Sequence, residues 1–141
     1  MNLTNKVLKL LGMSLASTML DESVPKEQKL WRAVLTLALE DVLNTSQGRN
    51  EAVMKAESHD WFVGNSQDFQ NVCYNAGMDA DWVRDRYLLA LDSGIIKFTK
   101  KQHLAIRYSK MYEQFRDEKQ PEKRKKLQKT VERLRQKLMK G

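Results

Sequence analysis

The chain has 141 residues and a mass of 16.5 kDa, room for one compact domain with a small appendage and too little for two large ones. With 41% hydrophobic and 30% charged residues, two prolines and six glycines, its composition is neither disordered nor membrane-like. The net charge of +7 is unevenly placed: residues 119 to 140 hold ten basic and two acidic side chains, the preceding residues fifteen against sixteen, and residues 31 to 92 only five against ten. The lone cysteine, Cys73, excludes an internal disulfide and a multi-cysteine zinc site and points to a reducing, intracellular setting.

Apolar residues recur at helical spacing almost throughout, and no alternating run argues for a sheet. The expected fold is therefore all-α: a helical bundle over residues 1 to 118 with a helix-turn-helix-like unit at about 66 to 92, and a basic, coiled-coil-type helix over 119 to 141. Leu3, Val7, Leu8, Leu11 and Leu15 mark a first stripe. Residues 6 to 20 hold two lysines followed by an apolar stretch, faintly like a secretory signal, but Asp21 and Glu22 follow without a cleavage pattern, and an amphipathic helix is the better reading.

A break at residues 21 to 25 offers Ser23 as a cap and Pro25 in a first turn. Leu30, Trp31, Val34, Leu35, Ala38, Leu39 and Val42 then form the broad face of a core helix. After a polar turn, residues 50 to 62 make a helix ending in Trp61 and Phe62, which Gly64 and Asn65 stop. A helix over 66 to 76 presents Phe69, Val72 and Cys73. Gly77 turns the corner, and Asp79 caps a helix that directs Val83, Tyr87, Leu88 and Leu91 inward. Ile95, Ile96 and Phe98 form an apolar connector. Thr99 and Gln102 make a capping box for a helix to about Glu118 with Tyr108, Tyr112 and Phe115 on its buried side. Pro121 opens the last helix, in which Leu127, Val131, Leu134 and Leu138 recur at intervals of four, three and four, the seam of a coiled coil through which two copies could pair.

The segment Phe69 to Tyr87, FQNVCYNAGMDADWVRDRY, has the anatomy of a helix-turn-helix: a small residue at the helix crossing (Cys73), a bendable corner (Gly77) and apolar locks (Val72, Ala76, Met78, Val83). Arg86 stands where one more apolar residue is expected. Two readings follow. The second helix enters the DNA major groove, exposing Asp79, Ala80, Asp81, Arg84 and Asp85, with Arg84 reading guanine; or it is a packing corner or protein-binding surface, since three aspartates oppose phosphate.

The tail clusters Lys123, Arg124, Lys125, Lys126 and Lys129, with Arg133, Arg135, Lys137 and Lys140 following beside the leucine seam. Such a helix attaches to DNA or RNA without reading sequence, or pairs with an acidic protein helix, or lies on a membrane surface, or is simply solvated. Lys97, Lys100, Lys101, Arg107 and Lys110 form a lesser basic group, the first three around a helix start whose amides attract phosphate. No catalytic, metal-binding or cofactor-binding pattern occurs: His59 and His103 lack ligand partners at suitable spacing, Cys73 falls on a buried face, and the three tryptophans read as core or contact residues.

LWRAVLTLALEDV from Leu30 and HDWFVGNSQDFQNVCYNAGMDADWVRDR from His59 resemble small proteins of bacteriophages and prophages. These share a Trp-containing first helix, a Trp-Phe pair and the pattern D-F-x-x-V-C-x-x-A-G-x-D-x-x-x-V-R. The resemblance covers about residues 30 to 86 and implies a phage context and a general DNA-binding role. The expected function is a phage-type DNA-binding regulator in the bacterial cytoplasm, with phosphate attachment by Lys123 to Lys129 and the Lys97 to Lys101 group and groove contact by Arg84 and Arg86. The alternatives are a factor that binds host machinery such as RNA polymerase and a small packaging subunit.

Overall fold

A computed structural model describes residues 22–46 and 48–140. They form six helices, α1 (Lys26–Leu43), α2 (Arg49–Val63), α3 (Gln67–Asn75), α4 (Ala80–Asp92), α5 (Lys100–Asp117) and α6 (Pro121–Lys140), and no strand. The fold is all-α. The helix expected around Leu3 to Leu15 lies outside the described residues.

Local chemistry sets most helix ends. Pro25 occupies the cap position of α1 and so precedes its first turn. Asn65 adopts φ 51° and turns the chain after α2. Ser66 accepts from the Phe69 amide at the start of α3, and Asp79 accepts from the Asp81 amide at the start of α4. Gly77 has φ 74°, a left-handed conformation that costs other residues about 1 kcal/mol or more, and a methyl group there would run into the Gln28 side chain. Thr99 and Gln102 close the capping box of α5 in both directions.

The helices group into two compact units, residues 1–44 with 57–97, and residues 45–56 with 98–141; α2 contributes to both. In the first, Leu35, Leu39 and Val42 of α1, Phe62, then Phe69, Val72, Cys73 and Ala76, and Val83, Tyr87 and Ala90 make one buried cluster, closed by Ile96. Arg32 Nε donates to the Ala76 carbonyl at 2.9 Å, satisfying an oxygen at the end of α3. Two apolar faces are narrower than the sequence suggests: Leu30 is 63% exposed, and on α4 it is Ala90 that turns inward while Leu88 stays on the surface.

In the second unit α5 and α6 pack along Tyr108, Val131 and Leu134, flanked by Leu104, Met111, Phe115 and Leu138. Residues 121 to 140 thus pack with α5 inside this unit. Val131, Leu134 and Leu138 of the α6 seam, expected to pair two copies, pack on α5 of the same chain. Tyr112, expected on the buried side, is 45% exposed.

Lys55 is fully buried in the same unit, its ammonium donating to Gln102 Oε1 at 3.0 Å and lying 4.8 Å from the centre of the Phe98 ring. Gln102 ties the region together: its Oε1 also accepts from the Thr99 amide, and its Nε2 donates to the Ser46 carbonyl. Desolvation holds the ammonium below the ordinary lysine range. The unfolded chain therefore binds this proton more readily, and stability tied to Lys55 rises as pH climbs toward its ordinary value of 10.5. Lys55→Met is expected to compare with the natural chain most favourably at neutral pH, an advantage that shrinks as pH nears the ordinary lysine value of 10.5. Denaturant unfolding at both pH values measures this; a difference that does not change with pH would rule it out.

Candidate nucleic-acid interface

Charge is partitioned between the two units more sharply than along the chain. Residues 45–56 with 98–141 carry seventeen Lys and Arg against six Asp and Glu, a net of +11; the other unit carries eight against twelve, a net of −4.

Within the cationic unit, α6 has two faces. One is the seam, with Val131 and Leu134 buried. On the other, Lys126, Lys129, Arg133, Lys137 and Lys140 recur at intervals of three, four, four and three, which places all five on one side of a helix with 3.6 residues per turn. All five are exposed. Their backbone span is about 21 Å at 1.5 Å per residue. Arg116 pairs with Asp117 and Arg135 with Glu132, each at 3.2 Å, and none of the five stripe cations is in either pair; Glu122, four residues before Lys126, shares their side of the helix. Lys123 and Lys125 are also exposed but sit to either side of it; Arg124 bends back, 4.5 Å from the centre of the Phe115 ring. Lys137 and Lys140, which the sequence reading placed beside the seam, belong to the cationic face, and the same 3.6-residue arithmetic applied to charges would have found them.

The second basic group divides. Lys100 is exposed and Lys101 half-buried at the start of α5, where the Thr99 and Gln102 amides are already taken by the capping box and are withdrawn from any phosphate. Lys100, His103, Arg107 and Lys110 form an exposed row down α5. Lys97 is exposed at the end of the other unit.

Each of the two α4 arginines has an intramolecular contact. Arg84 is half-buried, and its Nε donates to the Val63 carbonyl at 3.0 Å; Arg86 lies 5.0 Å from the centre of the Trp82 ring. What α4 offers to solvent is Asp81, Asp85 and Asp92 with Trp82, Leu88 and Leu89. An acidic and apolar surface repels phosphate.

Cys73 is buried, and its thiol is pushed up to about 11 by burial and then by the Asp79 carboxylate, so it stays protonated and inert. His59 Nδ1 lies 2.7 Å from the Tyr87 hydroxyl. Among the described residues no three His, Cys, Asp or Glu side chains gather as a metal site, and no helix is long and apolar enough to cross a membrane. The chain matches no protein-family model, no curated protein and no solved structure.

Proposed function

We propose that this is a phage-type nucleic-acid-binding protein, a regulator of DNA transactions, that attaches to the phosphate backbone through α6. The observation that carries this reading is the row Lys126, Lys129, Arg133, Lys137 and Lys140, exposed on one helix face and, among the described residues, in no ion pair with a carboxylate. Each cation that meets a phosphate releases condensed counterions, a gain that needs no base-specific contact. The phage-like stretch over residues 30 to 86 supplies the context of a DNA regulator.

Binding to random-sequence duplex is expected to fall steeply with salt, with a slope of log K against log salt of about −4 to −5 if all five cations reach phosphate. Absence of binding at low salt, or binding indifferent to salt, would end the proposal.

A second reading rests on α4. Its exposed Asp81, Asp85, Leu88, Leu89 and Asp92 suit a basic, apolar protein surface, as a factor acting on host machinery would require. The two readings use different helices and can hold together: α6 attaches, and α4 recruits.

A further inference from the structure

A cleft of about 680 Å³ opens in the cationic unit between the first turns of α2, the outer half of α5 and α6. That volume lies within the range of about 300–1,000 Å³ usual for small-ligand sites. Its lining includes Arg49, Tyr108, Tyr112, Glu113, Arg116 and Arg135, so three guanidinium groups and two phenol rings converge with one carboxylate.

The rings are ordered as a ladder. Tyr108 is buried and its centre is 6.2 Å from that of Tyr112 at an interplanar angle of 28°; Arg49 sits 5.5 Å from the Tyr108 centre. Tyr112, the next rung, is 45% exposed. Phe115 lies tilted at 53° with its centre 6.4 Å from that of Tyr112, and the part of the Tyr112 ring left exposed beside the cations is a surface on which an unpaired base can stack. Arg116 and Arg135 hold Asp117 and Glu132 in ion pairs that are more than half exposed and correspondingly weak, so an incoming phosphate can displace those carboxylates. Arg49 makes no ion pair among the described residues.

We infer that this cleft takes one nucleotide of a single strand, its base on the exposed part of the Tyr112 ring and its phosphate among Arg49, Arg116 and Arg135. Inside a duplex both faces of a base are covered by its neighbours, so only an unpaired or extruded base can use the ring. The inference rests on the nucleic-acid reading above and adds strandedness to it: α6 holds backbone of either form, and the cleft favours single strands.

The test compares oligothymidylate with a random duplex of equal length on the full chain at one ionic strength. Tyr112→Ala is expected to weaken oligothymidylate binding about 5- to 100-fold, as loss of one stacked base does, with duplex binding kept within about twofold. Tyr112→Phe retains the ring and should restore the single-strand affinity. Arg49→Gln, at an exposed helix start, gives a second measure that leaves the packing of α5 on α6 in place: a loss greater for the single strand than for the duplex supports the cleft. Unchanged single-strand binding in Tyr112→Ala, or an equal loss for both ligands, would overturn it. Failure of the α6 reading looks different, because there a chain stripped of the α6 cations would still hold duplex.

Discussion

Replacing Lys126, Lys129, Arg133 and Lys137 together by glutamine is expected to reduce duplex affinity about 10³-fold near 0.1 M salt and to flatten the salt slope by between three and four. Each lost phosphate contact removes about 0.9 from that slope, so the difference is largest in dilute salt and the two chains converge toward 1 M. Glutamine has nearly the helix propensity of lysine and arginine, and all four positions are exposed, so α6 persists and its seam stays packed on α5. Deletion of residues 119 to 141 would be a poorer experiment: it strips Val131 and Leu134 from Tyr108, and lost binding would then report a broken core. A quadruple variant that binds like the natural chain, or a loss produced only by Arg84→Gln with Arg86→Gln, would transfer the contact to α4 and defeat the proposal.

Helix boundaries were legible in the sequence because short-range chemistry sets them. Ser66, Asp79 and the Thr99–Gln102 pair each bond an amide two or three residues away, and the left-handed turn at Gly77 needs only the glycine itself. Periodicity shows which residues form a stripe but not how wide the neighbour covering it is. Leu30, Leu88 and Tyr112 lie on stripes, and each is left in solvent because the partner helix covers less than the pattern offers. The α6 seam is the same problem in another form: intervals of four, three and four specify a face, and α5 satisfies that face as well as a second copy would.

Burial of Lys55 had no local signal at all. It depends on Gln102, 47 positions away, whose side chain looks fully employed in its capping box until the fold brings Lys55 and Ser46 to it. The Tyr112 cleft is hidden for a similar reason. Arg49, Tyr112, Arg116 and Arg135 come from three helices, and no spacing in one segment encodes their meeting.

Phe62→Ala is expected to destabilise the acidic unit by about 3–5 kcal/mol and to lower its melting temperature by roughly 12–40 °C. The ring has no exposed surface and stacks on Tyr87 at 4.4 Å between centres and 7° between planes, with the Phe69 ring edge-on at 6.0 Å. Nothing adjacent can fill the space without leaving its own contacts, so most of the cavity term adds to the lost burial. Phe62→Leu keeps much of the volume and should cost about 1–2 kcal/mol. Tyr87→Phe isolates the hydroxyl from the stack. Burial and the nearby Asp60 raise the phenol's pKa, so the group stays neutral and can donate to His59 Nδ1, and its removal should cost about 1 kcal/mol. Trp61 lies beside Phe62 with its centre 5.0 Å from Phe69, so tryptophan fluorescence during denaturant unfolding reads this core directly. Because the Val63 carbonyl that holds Arg84 follows Phe62 in the chain, the same variant should loosen that arginine. A loss below about 1 kcal/mol for Phe62→Ala would mean that the Phe62–Tyr87 stack is not where this unit's stability resides.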